Sequence, residues 1–136
     1  MEKHMKEGLV KKDKNNVTFI ASNYQSAREF ARAAEYYGEL AKMTNDADAY
    51  RRQGSAFVSV QKYNEAIAAF DKALSLNVEK PSSVYMSLVD AYFNQKKYKE
   101  AYAALMNAKK DPAMSRQVRS WESYIRDKAK QKGITL

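Results

Sequence analysis

An aromatic-x-x-Ala-x-x-x-large pattern occurs three times in this chain, as Phe30, Ala33, Tyr37, then Tyr63, Ala66, Phe70, then Tyr98, Ala101, Leu105. The steps are 33 and 35 residues. Recurrence at such a period marks stacked supersecondary units, none of which buries its apolar face alone. A second pattern keeps the same register: Val17, Ile20, Ala21 and Tyr24 align with Tyr50, Gln53, Gly54 and Phe57, and with Tyr85, Leu88, Val89 and Tyr92. Three- and four-residue spacing places each set on one helical face, so the unit is a pair of helices. In the central copy Gly54 permits a close approach. Tyr63, Ala66, Ile67, Phe70, Ala73 and Leu74 form one stripe, in which small residues alternate with large ones and let two helices interdigitate.

On these residues the chain resembles the tetratricopeptide repeat family over about residues 14 to 115. It departs from the family pattern at Gln53, where Leu is usual, at Val89, where Gly or Ala is usual, and at Leu40, where Ala is usual. The resemblance implies an all-α fold, a right-handed α-solenoid of three tetratricopeptide-like helix pairs plus a C-terminal capping helix. The expected divisions are 14–46, 47–81 and 82–112 for the three repeats and 113–136 for the capping helix and tail. Residues 1–13, where Met5 and Leu9 are one turn apart and Gly8 can end a helix, read as the remnant of a preceding helix or a chain start.

Local signals set the expected boundaries. Asn15 or Asn16 is expected to cap the first helix, whose buried face is Val17, Ile20, Ala21 and Tyr24. Its partner is expected over residues 28–43, and Asp46 caps the helix carrying Tyr50. The helix from Tyr63 to about Leu76 follows. Pro81 with Ser82 and Ser83 is expected to cap a helix over 84–95, reached by a longer connection that accounts for the 35-residue step. Residues 98–109 form the last repeat helix. Asp111-Pro112 opens the capping helix over 113–132, with Val118, Trp121, Ile125 and Ala129 on its apolar stripe and Trp121 as a core anchor.

The inventory for catalysis is poor. There is no Cys and one His, His4, so thiol and imidazole triads and His-based zinc sites lack their parts. No Gly-rich phosphate loop is present, and Glu35, Glu39, Asp46 and Asp48 read as solvated or capping carboxylates. The expectation is a non-enzyme with no cofactor and no metal. No apolar run reaches the roughly 18 residues needed to span a bilayer. No secretory signal is read at the start, because charged residues interrupt any apolar core.

Binding remains, and the resemblance implies where. In tetratricopeptide arrays, positions 2, 5, 6, 9, 12 and 13 of each unit look into a concave groove. Here these include Thr18, Phe19, Ser22 and Gln25 in the first repeat and Asp48, Arg51, Arg52, Ser55, Val58 and Ser59 in the second. In the third they are Ser83, Met86, Ser87, Asp90, Phe93 and Asn94. This lining suits a protein or peptide partner with an acidic group and an apolar anchor. The carboxylate clamp of heat-shock co-chaperones is missing, because Thr18, Ser22, Arg52, Ser83 and Ser87 stand at its positions.

The net charge of +8 sits at the ends: residues 1–14 carry five Lys against three acids and residues 116–136 six Lys or Arg against two. Nucleic-acid binding through the basic terminal helix is therefore a rival reading, opposed by the expectation that Trp121 and Tyr124 are committed to packing. A structural spacer that self-associates by stacking repeat ends is another. A narrower likeness runs from Gly8-Leu9-Val10 through Val78-Glu79-Lys80-Pro81 to Trp121-Glu-Ser-Tyr124-Ile125. It resembles bacterial tetratricopeptide proteins encoded beside Ton-type energy-transduction genes, and implies a periplasmic accessory of an envelope transport complex.

Overall fold

The computed structural model describes residues 13–136. Among them are seven α-helices: α1 Lys14–Ser26, α2 Phe30–Thr44, α3 Ala47–Ser59, α4 Tyr63–Ser75, α5 Pro81–Asn94, α6 Tyr98–Ala108 and α7 Ser115–Gln131, with a 3₁₀ turn at Pro112–Met114 before α7. The chain is all-α, built as three helix pairs and a closing helix. The expected N-terminal remnant and His4 lie outside the described residues.

The turn inside each pair repeats as faithfully as the helices do. Arg28, Gln61 and Lys96 take left-handed backbone with φ of 61°, 62° and 61°. Each is followed by the same long bond back across the turn, from the Glu29, Lys62 and Lys97 amides to the Tyr24, Phe57 and Tyr92 carbonyls at 2.8, 2.9 and 2.9 Å. That closure satisfies carbonyls the first helix would leave open and reverses the chain within three residues. The second helices need no side-chain cap and have none, at Glu29, Lys62 and Lys97. Because Arg28 adopts the left-handed turn, α2 starts at Phe30 and not at residue 28.

First helices begin differently, and two expected caps are corrected. Asn15 and Asn16 lie inside α1; Asp13 is its cap, extended at φ −116° and accepting the Asn16 amide at 2.9 Å. Asp46 caps α3 as expected, through the Asp48 amide at 3.2 Å. In α5 the helix opens on Pro81 itself, with no side-chain cap. The fixed φ of proline suits the first helical position, where no amide partner is needed. Ser82 instead donates to Asp111 Oδ2 at 2.7 Å, and Ser83 turns to the Lys80 carbonyl at 3.5 Å. Asp111 also accepts the Ala113 amide at 3.0 Å, so one carboxylate starts the 3₁₀ turn and ties it to α5. Those two hydrogen bonds, from Ser82 first, hold its carboxyl below the ordinary value.

The described residues divide into two compact units, with the break after Val78 in the longer connection between α4 and α5. In the first, Val17, Ala21, Ala33, Ala34, Tyr37, Leu40, Ala41, Ala49 and Ala56 form the core, flanked by Tyr24, Phe30, Tyr36, Tyr50 and Phe57. Tyr24 stacks on Tyr36 at 5.7 Å. Ala66, Phe70 and Ala73 of α4 are fully buried, whereas Tyr63, Ile67 and Leu74 are half-buried. In the second unit Val84, Val89, Ala101, Leu105 and Ala108 pack with Val118, Ile125 and Ala129 of α7. The closing helix is also held to α6 by Arg126, which donates to the Tyr102 hydroxyl at 2.7 Å, and by Lys109 facing Glu122 at 3.6 Å. Gly133, at φ 68°, ends it by letting the Ile134 amide reach the Ala129 carbonyl at 2.8 Å.

Two glycines of the first unit make the packing testable. A Cβ on Gly54 would stand 2.6 Å from Cε1 of the fully buried Phe70 ring, while one on Gly38 would meet only the amide end of Gln53, at 2.5 Å from Nε2. The ring cannot move without disturbing the core, but a Gln side chain can swing away. Gly54→Ala should therefore cost about 1–3 kcal/mol by overpacking. Gly38→Ala should fall within about 1 kcal/mol of the parent, since helix propensity favours alanine by a similar amount. Urea unfolding of both variants checks the contrast.

Candidate functional site

Side chains at the inward positions fall into two sets, one in each unit. In the first unit the centre is Asp48 in the first turn of α3. Its two carboxylate oxygens accept separately, Oδ1 from Arg51 Nε and Oδ2 from Arg52 Nε, each at 2.8 Å. Three- and four-residue spacing on one helix brings both guanidinium groups to the same carboxylate. All three side chains remain substantially exposed, at 35% for Arg51, 46% for Arg52 and 47% for Asp48. Burial alone would push the Asp48 carboxyl up, but the hydrogen bonds and charges of Arg52 and Arg51 outweigh it and leave it below its ordinary value. Arg52 is held more firmly protonated, by Asp48 first and by the Tyr37 hydroxyl as well.

Tyr37 is the residue the sequence reading missed. It sits on α2 where the other repeats carry Phe70 and Leu105, and its ring is buried. Its hydroxyl donates to Gln25 Oε1. Arg51, Arg52 and Asp48 thus form one charged group on α3, and Tyr37 with Gln25 a polar pair between α2 and α1. The signal was available: a hydroxyl at a register that is otherwise apolar must find a partner when buried.

The small hydroxyls at inward positions are turned to their own helices. Thr18 donates to the Lys14 carbonyl at 2.7 Å, Ser59 to Ser55 at 3.2 Å and Ser87 to Ser83 at 3.2 Å, the usual back-bonding of Ser and Thr in helices. Ser22 and Ser55 are exposed, Val58 and Met86 half-buried. Phe19 stands 55% exposed.

In the second unit Phe93 is the centre of an aromatic cluster. Its ring lies 5.3 Å from Tyr98, 5.4 Å from Trp121 and 4.9 Å from Tyr124, edge to face in each case. Asp90, Phe93 and Asn94 of α5, with Ser120, Trp121 and Tyr124 of α7, line a pocket of about 340 Å³. This corrects the expected roles of two residues. Trp121 is half-buried and not a core anchor, and Tyr124 is 51% exposed; the stripe that buries α7 is Val118, Ile125 and Ala129. Both rings pack edge to face against Phe93 of α5.

Among the described residues no group of three or more His, Asp or Glu is placed to hold a metal, and no helix is long and apolar enough to cross a membrane.

Comparison with known proteins agrees with the helix pairs. A family model described as tetratricopeptide repeat matches residues 20–75, and one described as anaphase-promoting complex, cyclosome, subunit 3 matches residues 59–119. No curated protein matches the sequence significantly. Among solved structures, the tetratricopeptide domain of Arabidopsis OM64 superposes with a TM-score of 0.74 at 19% identity, over 84% of this chain and 94% of that one. The TPR2B domain of yeast Sti1, in complex with pHsp70, gives 0.71 at 21% identity, over 88% and 97%. The type III secretion translocator chaperone SycD of Yersinia enterocolitica gives 0.71 at 14% identity, over 88% and 86%. At these identities the likeness is one of fold.

The charge triad predicts a pH signature. A carboxyl whose pKa is depressed in the folded state contributes stability that is present above its unfolded value of 3.8 and lost as pH falls through the folded value. Because the groups are exposed and screened, Asp48→Asn should lower stability at pH 7 by less than about 1 kcal/mol. The gap from the parent should close as pH drops through and below 3.8. Urea midpoints measured from pH 7 to acid for both proteins check this.

Proposed function

Because the chain is built from tetratricopeptide repeats, we propose that it is a non-enzymatic protein-interaction scaffold that binds a partner protein or peptide through the inward positions of its helix pairs. The observation that carries the reading is the Asp48 triad. Two exposed guanidinium groups share one carboxylate, so the face of α3 holds one positive charge in excess and several N–H donors aimed outward. An acidic side chain of a partner competes for Arg51 and Arg52 and pairs with their planar forks. The aromatic pocket of the second unit takes an anchor side chain with an apolar body. Among the solved structures of similar fold, the Sti1 domain is in complex with pHsp70 and SycD is a translocator chaperone, which supports a role in protein recognition. Capture of a peptide's terminal carboxylate by the co-chaperone clamp is not the mode here, since Thr18 and Ser87 stand at clamp positions and are bonded to their own helices.

The narrower sequence likeness would place this scaffold in the periplasm, as an accessory of Ton-type transport. Its support is the order of short motifs ending in Trp121-Glu-Ser-Tyr124-Ile125. Nucleic-acid binding is disfavoured on different grounds from those the sequence offered. The exposed aromatics of α7 share their pocket with Asp90, whose charge repels phosphate, and Arg126 is engaged with Tyr102 and Glu122.

Affinity capture from the source cell with the parent, Arg52→Glu and Lys130→Glu tests the reading. Both variants change the net charge equally. Lys130 is exposed on α7. A genuine partner should be retained at least about tenfold less by Arg52→Glu, equivalent to roughly 1.4 kcal/mol, and undiminished by Lys130→Glu. Retention that falls equally with both, or that disappears on nuclease treatment, would show that general positive charge does the binding.

A further inference from the structure

We propose that the pocket walled by Phe93, Trp121 and Tyr124 binds an arginine side chain of the partner protein. This rests on the scaffold reading and names the chemistry of its anchor. Three aromatic rings converge there, with centroids 4.9–6.1 Å apart and planes 64–69° from one another. Such rings are not stacked face to face, and aromatic faces carry negative charge density that attracts a cation. The polar lining has the same sign. Asp90 lies at the pocket edge, its Oδ1 accepting only the Asn94 amide at 3.1 Å. No Lys or Arg lines the pocket, and Asp90 makes no ion pair among the described residues.

A third contribution comes from the backbone. Asp90 and Asn94 are in the closing turns of α5, whose last turn contains no basic residue. Carbonyl groups at a helix C-terminus carry partial negative charge and favour a cation beside them. Rings, carboxylate and helix end all favour positive charge, and no Lys or Arg among the described residues lines the pocket, although Lys96 and Lys97 follow the helix end.

Arginine fits this combination better than lysine. Its methylene stem is apolar and lies against the rings, and its planar head stacks on an aromatic face while donating two hydrogen bonds to one carboxylate. Lysine offers a compact, strongly hydrated ammonium that forfeits hydration on entering an aromatic cleft. The pocket's volume of about 340 Å³ accommodates one such side chain.

The chain contains a single Trp, and it stands in the wall of the pocket, so fluorescence and the indole N–H resonance of Trp121 report on this site alone. The intact protein is titrated with Nα-acetyl-argininamide, the isosteric neutral Nα-acetyl-citrullinamide, and Nα-acetyl-lysinamide. The arginine probe should give a saturable change with Kd on the order of 1 mM, and the citrulline probe should bind at least about tenfold more weakly. Asp90→Asn, which keeps shape and helix, should reduce the arginine-over-citrulline preference several-fold. Tyr124→Ala, at an exposed position that leaves the core intact, should weaken the arginine probe independently.

Equal binding of arginine and citrulline probes, or no saturable change with either, would overturn the proposal. So would an Asp90→Asn protein that is folded by circular dichroism and keeps the preference, or a lysine probe that binds as tightly as arginine. The probe needs no partner, so this test and the capture experiment fail separately. Loss of a partner on Arg52→Glu without any arginine preference at Trp121 would leave the scaffold standing and remove only the arginine assignment.

Discussion

The ring of Phe70 lies against α3 where a side chain at residue 54 would begin, and that contact defines the spacing of the central helix pair. Fully buried alanines at Ala33, Ala66 and Ala101 recur at the same register in the second helix of each pair. Small residues let helix axes approach closely, and the large residue four positions later fills the groove that the approach creates. The repeated pattern is thus a repeated distance. It gives every pair its apolar seam and leaves the opposite face of each first helix without structural duty.

Short helices of 11 to 15 residues are marginal alone, so their ends matter. Both kinds of connection place a left-handed residue after a helix, Asn45 and Asn77 between pairs as well as Arg28, Gln61 and Lys96 within them, and they differ in how the next helix begins. Inside a pair, a left-handed residue and a long backbone bond close the turn, and the following helix begins without help from a side chain. Between pairs, and before α7, carboxylates or a proline start the next helix: Asp46, Pro81 and Asp111. Left-handed geometry at Arg28, Gln61 and Lys96 is tolerated in residues that carry a Cβ because the backbone bonds across the turn hold it there.

Periodicity made the fold legible, since the buried positions of a helix pair recur whether or not the outer residues do. Boundaries were read less well where two devices compete for the same role. Ser82 looks like a cap, but the proline before it already provides the helix start, and its hydroxyl finds Asp111 twenty-nine residues away. No local pattern announces such a pairing. The candidate site was legible only in part. Asp48, Arg51 and Arg52 lie on one helix, and their meeting follows from spacing. Trp121 was assigned to the core because large aromatics usually belong there, whereas Tyr37, which does lie in the core, was given no polar role. Both depend on a neighbouring helix: Gln25 accepts a hydrogen bond from the hydroxyl of Tyr37, and Phe93 packs edge to face against Trp121.

What separates the two sites is where each carboxylate sits along its helix. Asp48 is in the first turn of α3, where the helix dipole favours negative charge, and it is further held by two arginines. Its charge is satisfied at home, and the excess left over is positive. Asp90 lies in the C-terminal half of the equivalent helix α5, and among the described residues it makes no ion pair. Equivalent helices on one repeated backbone therefore present opposite demands. On the proposed reading the first pairs with an acidic partner residue, and the second, with its carboxylate and aromatic faces, with a basic one. A partner that satisfies either has no need of sequence likeness to the other, because the scaffold supplies only the distance between helices and the outer residues supply the chemistry.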